Sequence, residues 1–345
     1  MLCAKITTAQ ECDDADRGTG VPPVPRLPKH GRDARATPRR RLPAALLVLA
    51  CLSAAPPVPP TTQPLGTFVR FAEDGHGGGQ MQVAVTSYRN DDGSTVDLLS
   101  TVHIGDVAFF RQLAKRLNGY DAVLFELVAH RGEPATEEGV NPQQARIASE
   151  MSLENQGPHM NYDRPSFVHA DLDLEDLQAQ EKAAHGTTKG MLGEGPGLAA
   201  ATSADDTAGL ESVYADLKAA AAVDPGKQGA PHAKGANAKE YARLMRRAYA
   251  RLLSATAEPA AGSTYPVGAD MDILVGARNQ HVMDVLAQQT EAGKHHLAIL
   301  FGGAHMVDLE HRLLSHGYQR TATTWVTAWT VAPDGTPTTR PAVKR

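Results

Sequence analysis

The sequence predicts an α/β protein built on a central mixed β-sheet, with strands contributed by both ends of the chain and a helical insertion covering the rim of the site. Three observations carry this. Short apolar runs at 96–102, 122–128 and 296–301 alternate with helical spacings, the order that produces parallel strands joined by crossovers. Each run leads to a residue able to do chemistry: His103, Glu126 and, beyond a Gly-Gly turn, His305. The pattern of strand, histidine and helix met early in the chain also returns near its end.

The elements follow in order. Arg39-Arg40-Arg41 precedes an apolar stretch from Leu42 to Leu52, too short for the roughly 20 residues that span a bilayer and patterned like a secretory signal. Val48-Leu49-Ala50-Cys51 resembles a bacterial lipoprotein cleavage box. Residues 1–55 are therefore expected to be a leader, ending in a lipid anchor at Cys51 or in cleavage near Ala54-Ala55, and the protein to be exported, periplasmic or membrane-anchored. The segment before Arg32 exceeds a normal n-region, which suggests a start codon further downstream. Residues 56–79, rich in Pro and then Gly, read as a flexible tether.

Residues Gln80 to Tyr88 alternate as a strand, Asn90 to Ser94 form a turn around Asp-Gly, and Val96 to Val102 make the second strand of a hairpin. Asp106 is placed to cap a helix carrying Phe109, Phe110, Leu113 and Leu117 at helical spacing. Ala122 to Val128 reads as a buried strand, and Gln143 to Ala184 as mostly helical, interrupted at Pro158 and Pro165. Residues 185–238 have the composition of an insertion, with one helix from Leu210 to Ala222. Helices are expected over Lys239 to Ala255, Met271 to Gln289 and His305 to Ser315, strands over His296 to Phe301 and Thr321 to Val331. The domain spans 80–332, and 333–345 is a disordered tail.

Composition narrows the function. A formal net charge of −5 provides no basic footprint for nucleic acid. The three cysteines, Cys3, Cys12 and Cys51, all fall in the leader, so the domain contains no disulfide. HExxH, a GxSxG elbow, a P-loop and a GxGxxG after a strand are all absent.

In α/β sheets, ligands bind outside the carboxyl ends of the strands, and three strands here would bring His103, Glu126 and His305 to one rim. Two imidazoles and a carboxylate suit a divalent metal with open positions, and equally a metal-free general acid and base. A carboxylate within AVLFELV is costly to bury unless paired. His169 and Asp171 follow a proline-limited turn and read as caps of the next helix. His296 is expected half-buried, His295, His311 and His316 exposed, and His159, His185 and His232 in surface loops.

Leu99-Ser100-Thr101-Val102-His103-Ile104-Gly105-Asp106 with Tyr120 to Glu126, the stretch Tyr162 to Asp171, Arg278-Asn279, and Phe301-Gly302-Gly303-Ala304-His305-Met306 together resemble the TraB/PrgY/GumN family, related to the TIKI metalloproteases. The resemblance covers most of 96–320. It implies that His103, Glu126 and His305 bind a divalent metal ion (Mn, Co or Zn), that Glu126 also activates water, and that Arg278 stabilises an oxyanion or pairs with Glu126. Ser100 departs from the family pattern, standing where the first GxxH motif has glycine, and tilts toward readings without metal. The implied activity is hydrolysis of a peptide or amide bond, with a peptide or small molecule as partner. The alternatives are a metal-free hydrolase like the erythromycin esterases, a haem-binding lipoprotein like the ChaN relatives, and a non-catalytic peptide-binding protein.

Overall fold

The computed structural model describes residues 65–132, 142–185, 210–223, 236–257 and 272–335. The expected leader with Cys51, His232 and most of the expected insertion lie outside them.

Strand β1 (Val69–Glu73) pairs antiparallel with the first half of β2 (Gly79–Arg89), and β3 (Thr95–Thr101) with the second half. The expected hairpin turn forms: the Asn90 side chain accepts the Ser94 N–H at 2.9 Å, and Gly93 supplies the positive φ of 85° that the turn requires. Strand β4 (Ile104–Gly105) pairs with β6 (Glu154–Asn155) in a small separate ladder. Strands β5 (Ala122–Phe125), β7 (Phe167–His169) and β8 (His296–Gly302) join β3 in a parallel block ordered β3-β8-β5-β7. Strand β9 (Gln319–Val331) runs antiparallel along the other side of β2, closing a seven-stranded mixed sheet that joins early and late chain segments as the sequence predicts.

Alternation along the strands sorts their side chains onto two faces. Leu99, Val123, Phe125, Ala298 and Leu300 face helices α1 (Val107–Arg116), α2 (Pro142–Glu150) and α5 (Ala236–Ala257). Leu98, Leu124, Leu297, Ile299 and Phe301 face α6 (Arg278–Glu291) and α7 (Met306–Ser315). Each fully buried leucine contributes on the order of 1.5–3 kcal/mol, and the central strands carry several of them. Helix α3 (Leu174–His185) follows β7, and α4 (Glu211–Val223) packs on α5 through Leu210, Val213, Ala248 and Leu252. Glu310 of α7, fully buried, accepts the Tyr88 hydroxyl at 2.8 Å and the Arg320 Nε at 2.7 Å, locking that helix to β2 and β9.

Several expectations are corrected. The stretch read as a tether contains β1, because Val69–Glu73 pairs over its whole length with the first half of β2. Asp334, assigned to the tail, is hydrogen-bonded to the His76 carbonyl and ion-paired with Arg247. The run expected as a strand through Val128 ends at Phe125, so Glu126 lies just past the strand. The helix expected from Met271 starts as a π-helical turn, Asp272–Ala277. Asp106 occupies the cap position of α1 without a side-chain cap bond. His296 is exposed, whereas His159 stacks on Phe110 at 5.4 Å instead of lying on the surface.

Candidate functional site

The four parallel strands end at one edge, each followed within three residues by a polar group: His103 after β3, Glu126 after β5, Asp171 after β7 and His305 after β8. Register holds these ends level, since Thr101 lies beside Gly302 and Phe125 beside Leu300.

Glu126 is the centre of the arrangement. Its Oε2 accepts the Gly302 N–H at 2.6 Å. Its Oε1 accepts an Arg278 guanidinium N–H at 2.8 Å and lies 3.5 Å from His305 Nε2. The side chain is 14% exposed. Burial by itself would raise its pKa, but His305 and Arg278, helped by His103, outweigh burial and hold it well below the usual carboxylate range.

Arg278 is not a surface cation. Asp171 grips it through two bonds, Nε to Oδ1 at 2.8 Å and a terminal nitrogen to Oδ2 at 2.6 Å, and both side chains are buried. Asp171 also accepts the Leu172 N–H at 2.8 Å, but the next helix begins only at Leu174, so its main role is to hold Arg278 and not to cap. His169 does not join the group: its Nε2 meets the Leu127 carbonyl at 2.6 Å.

His305 is buried at the entrance to α7, and its orientation follows from Asn279. The Asn279 amide nitrogen donates to the His305 carbonyl at 3.0 Å and to Asp308 at 2.8 Å, so its oxygen is the atom 2.7 Å from His305 Nδ1. Nδ1 must therefore carry a hydrogen, which leaves Nε2 as the ring atom turned toward Glu126 Oε1. A nitrogen 3.5 Å from a carboxylate oxygen is a place for positive charge, supplied either by a proton on Nε2 or by a bound cation.

His103 is exposed at the lip. A methyl group on Gly302 would stand 3.2 Å from Glu126 Oε2 and 3.9 Å from His103 Nε2, so the absence of a side chain there keeps open the space between the two. Among the described residues, no three His, Cys, Asp or Glu side chains form a ready metal-holding group. Ser100 is fully buried one strand over, its hydroxyl without a hydrogen-bond partner.

His103, Glu126, Arg278 and His305 are the site residues expected from the sequence. Asp171 is expected there only as a cap and Asn279 has no role assigned, although both belong to the stretches that carried the family resemblance. No family model, curated protein or solved structure matches the chain.

Proposed function

We propose that this protein is a metal-dependent hydrolase of peptide or related amide bonds, with His103, Glu126 and His305 holding a divalent cation (Mn, Co or Zn). The observation that carries the reading is His305 Nε2 facing Glu126 Oε1 at 3.5 Å, with the Nδ1 side of the ring tied to Asn279. Two imidazoles and a carboxylate are a donor set that first-row divalent metals accept, and a histidine ligand whose other nitrogen is tied to an amide oxygen is the usual supporting arrangement. When bound, the cation would polarise the scissile carbonyl and lower the pKa of water. Glu126, kept ionised by its neighbours, is suited to accept the proton of the attacking water, and Arg278 keeps that carboxylate in place. The leader pattern from Arg39 to Leu52 supports export, and Cys51 a lipid anchor.

A specific observation favours a second reading. Arg278 already donates to Glu126 Oε1, and a proton on His305 Nε2 would complete the charge balance with no metal, as in a His/Glu hydrolase of the erythromycin-esterase kind.

Elemental analysis of the purified chain, compared with His103→Ala and His305→Ala, tests the choice. The metal reading expects about one divalent ion per chain in the wild type and loss in both variants. Absence of metal after reconstitution with Mn, Co and Zn would overturn it in favour of the metal-free form.

A further inference from the structure

The groups at the centre of the site accept protons or stabilise one another: Gly302 N–H and Arg278 both donate to Glu126. A hydrolase also needs a donor directed at the substrate oxygen that gains charge in the transition state. A largely buried chain of hydrogen bonds that touches the backbone of the site ends in a phenol hydroxyl. The Thr101 hydroxyl donates to the Gln156 side-chain oxygen at 2.7 Å, on the inner side of that amide. On the other side, the Gln156 amide nitrogen donates to the Tyr162 hydroxyl oxygen at 3.0 Å. The Gln156 backbone N–H is bonded to the His103 carbonyl at 2.9 Å, so the relay is anchored to the site at its other end. The Tyr162 ring packs on Phe125, the residue before Glu126, with centroids 4.9 Å apart, and on Phe167 at 6.1 Å.

With its oxygen already accepting from Gln156, Tyr162 has its own proton to give elsewhere. From this geometry we infer that Tyr162 is a further catalytic residue, whose hydroxyl donates a hydrogen bond to the substrate carbonyl oxygen as it becomes an oxyanion, with Gln156 as its positioning residue. Burial raises the phenol pKa, with the nearby Glu126 charge adding to the rise against the opposing Gln156 bond, so Tyr162 stays a donor at neutral pH and does not act as a base. No proton changes owner in this role.

The inference rests on the hydrolase reading, and its test separates the two. The full chain, with Mn, Co or Zn added or with chelator, is assayed on a random-sequence pool of quenched fluorescent peptides alongside Glu126→Gln, Tyr162→Phe and Gln156→Leu. Cleavage by the wild type that is lost in Glu126→Gln supports the hydrolase reading. Within that result, Tyr162→Phe is expected to lower kcat by about 10²-fold with KM within a factor of two, the signature of a contact made only in the transition state. Gln156→Leu should lower kcat by a smaller factor, again without moving KM. An unchanged kcat in a folded Tyr162→Phe, verified by its circular dichroism melt, overturns the role of Tyr162 and leaves the hydrolase reading standing. No cleavage by the wild type under any metal condition overturns the hydrolase reading and the role of Tyr162 with it.

Discussion

Replacing Asp171 with alanine should be among the most destabilising single changes at the strand-end rim. Asp171 is fully buried at its side chain and holds a guanidinium that is itself only 8% exposed, through two bonds of 2.8 and 2.6 Å. Removing the aspartate takes away both of its bonds to this buried cation, and breaking a buried pair from one side costs about 3–5 kcal/mol. For a domain of this size that is a fall in Tm of roughly 6–20 °C. Replacing both partners, as Asp171→Leu with Arg278→Met, removes the stranded charge and should recover at least half of the loss, because Glu126 keeps the Gly302 N–H and His305. Urea denaturation of the wild type, the two single variants and the double variant supplies the full cycle. A cost below about 1 kcal/mol for Asp171→Ala, the value typical of an exposed ion pair, would refute the argument that this clamp is desolvated.

Three further outcomes are expected. Gly303→Ala would push a methyl to 2.3 Å from Val69 Cγ2 in β1, and should destabilise by about 1–3 kcal/mol in a thermal melt, with partial rescue by Val69→Ala. Asn279→Leu removes the acceptor that orients His305 Nδ1, and on the metal reading should weaken Zn binding about 10–100-fold by equilibrium dialysis. The Glu126 pKa is depressed in the folded protein, so its contribution to stability is complete above the unfolded value of about 4.3 and is lost as pH falls through the lower folded value. Urea midpoints followed from pH 6 to pH 3 should therefore fall less steeply for Glu126→Gln than for the wild type.

The parts of the molecule legible in its sequence are those governed by local periodicity. Runs such as Leu297 to Phe301 are apolar on both faces because helices cover both, and the polar residue after each run marks where the strand leaves the core. That is why His103, Glu126 and His305 could be placed at one edge. What escaped depends on distant partners. Strand β1 is five residues long, only Val69 of it is buried, and it is recognisable as a strand only through its pairing with β2. Strand β7 has three residues, too few to show a period. Asp171 looked like a cap because an aspartate ahead of a helix usually is one; its guanidinium partner lies 107 residues away, with no local trace. Nothing in the order of residues around Asn279 shows that its amide orients His305.

The place of β8 has a consequence for how this chain comes into being. Strands β3 and β5 do not pair with each other; β8, made of residues 296–302, lies between them and bonds to both. Until that late segment has been synthesised, the two earlier strands have open edges and the sheet has a gap at its centre. A chain cut before His296 therefore lacks the joint of the molecule and not a peripheral piece, and it should aggregate where shorter C-terminal trims are tolerated. Assembly from pairings this distant in sequence is slow, so the nascent chain stays open for longer than one built from neighbouring hairpins. The central joint is thus made only when residues 296–302 have arrived, with β9 alone among the described strands still to follow.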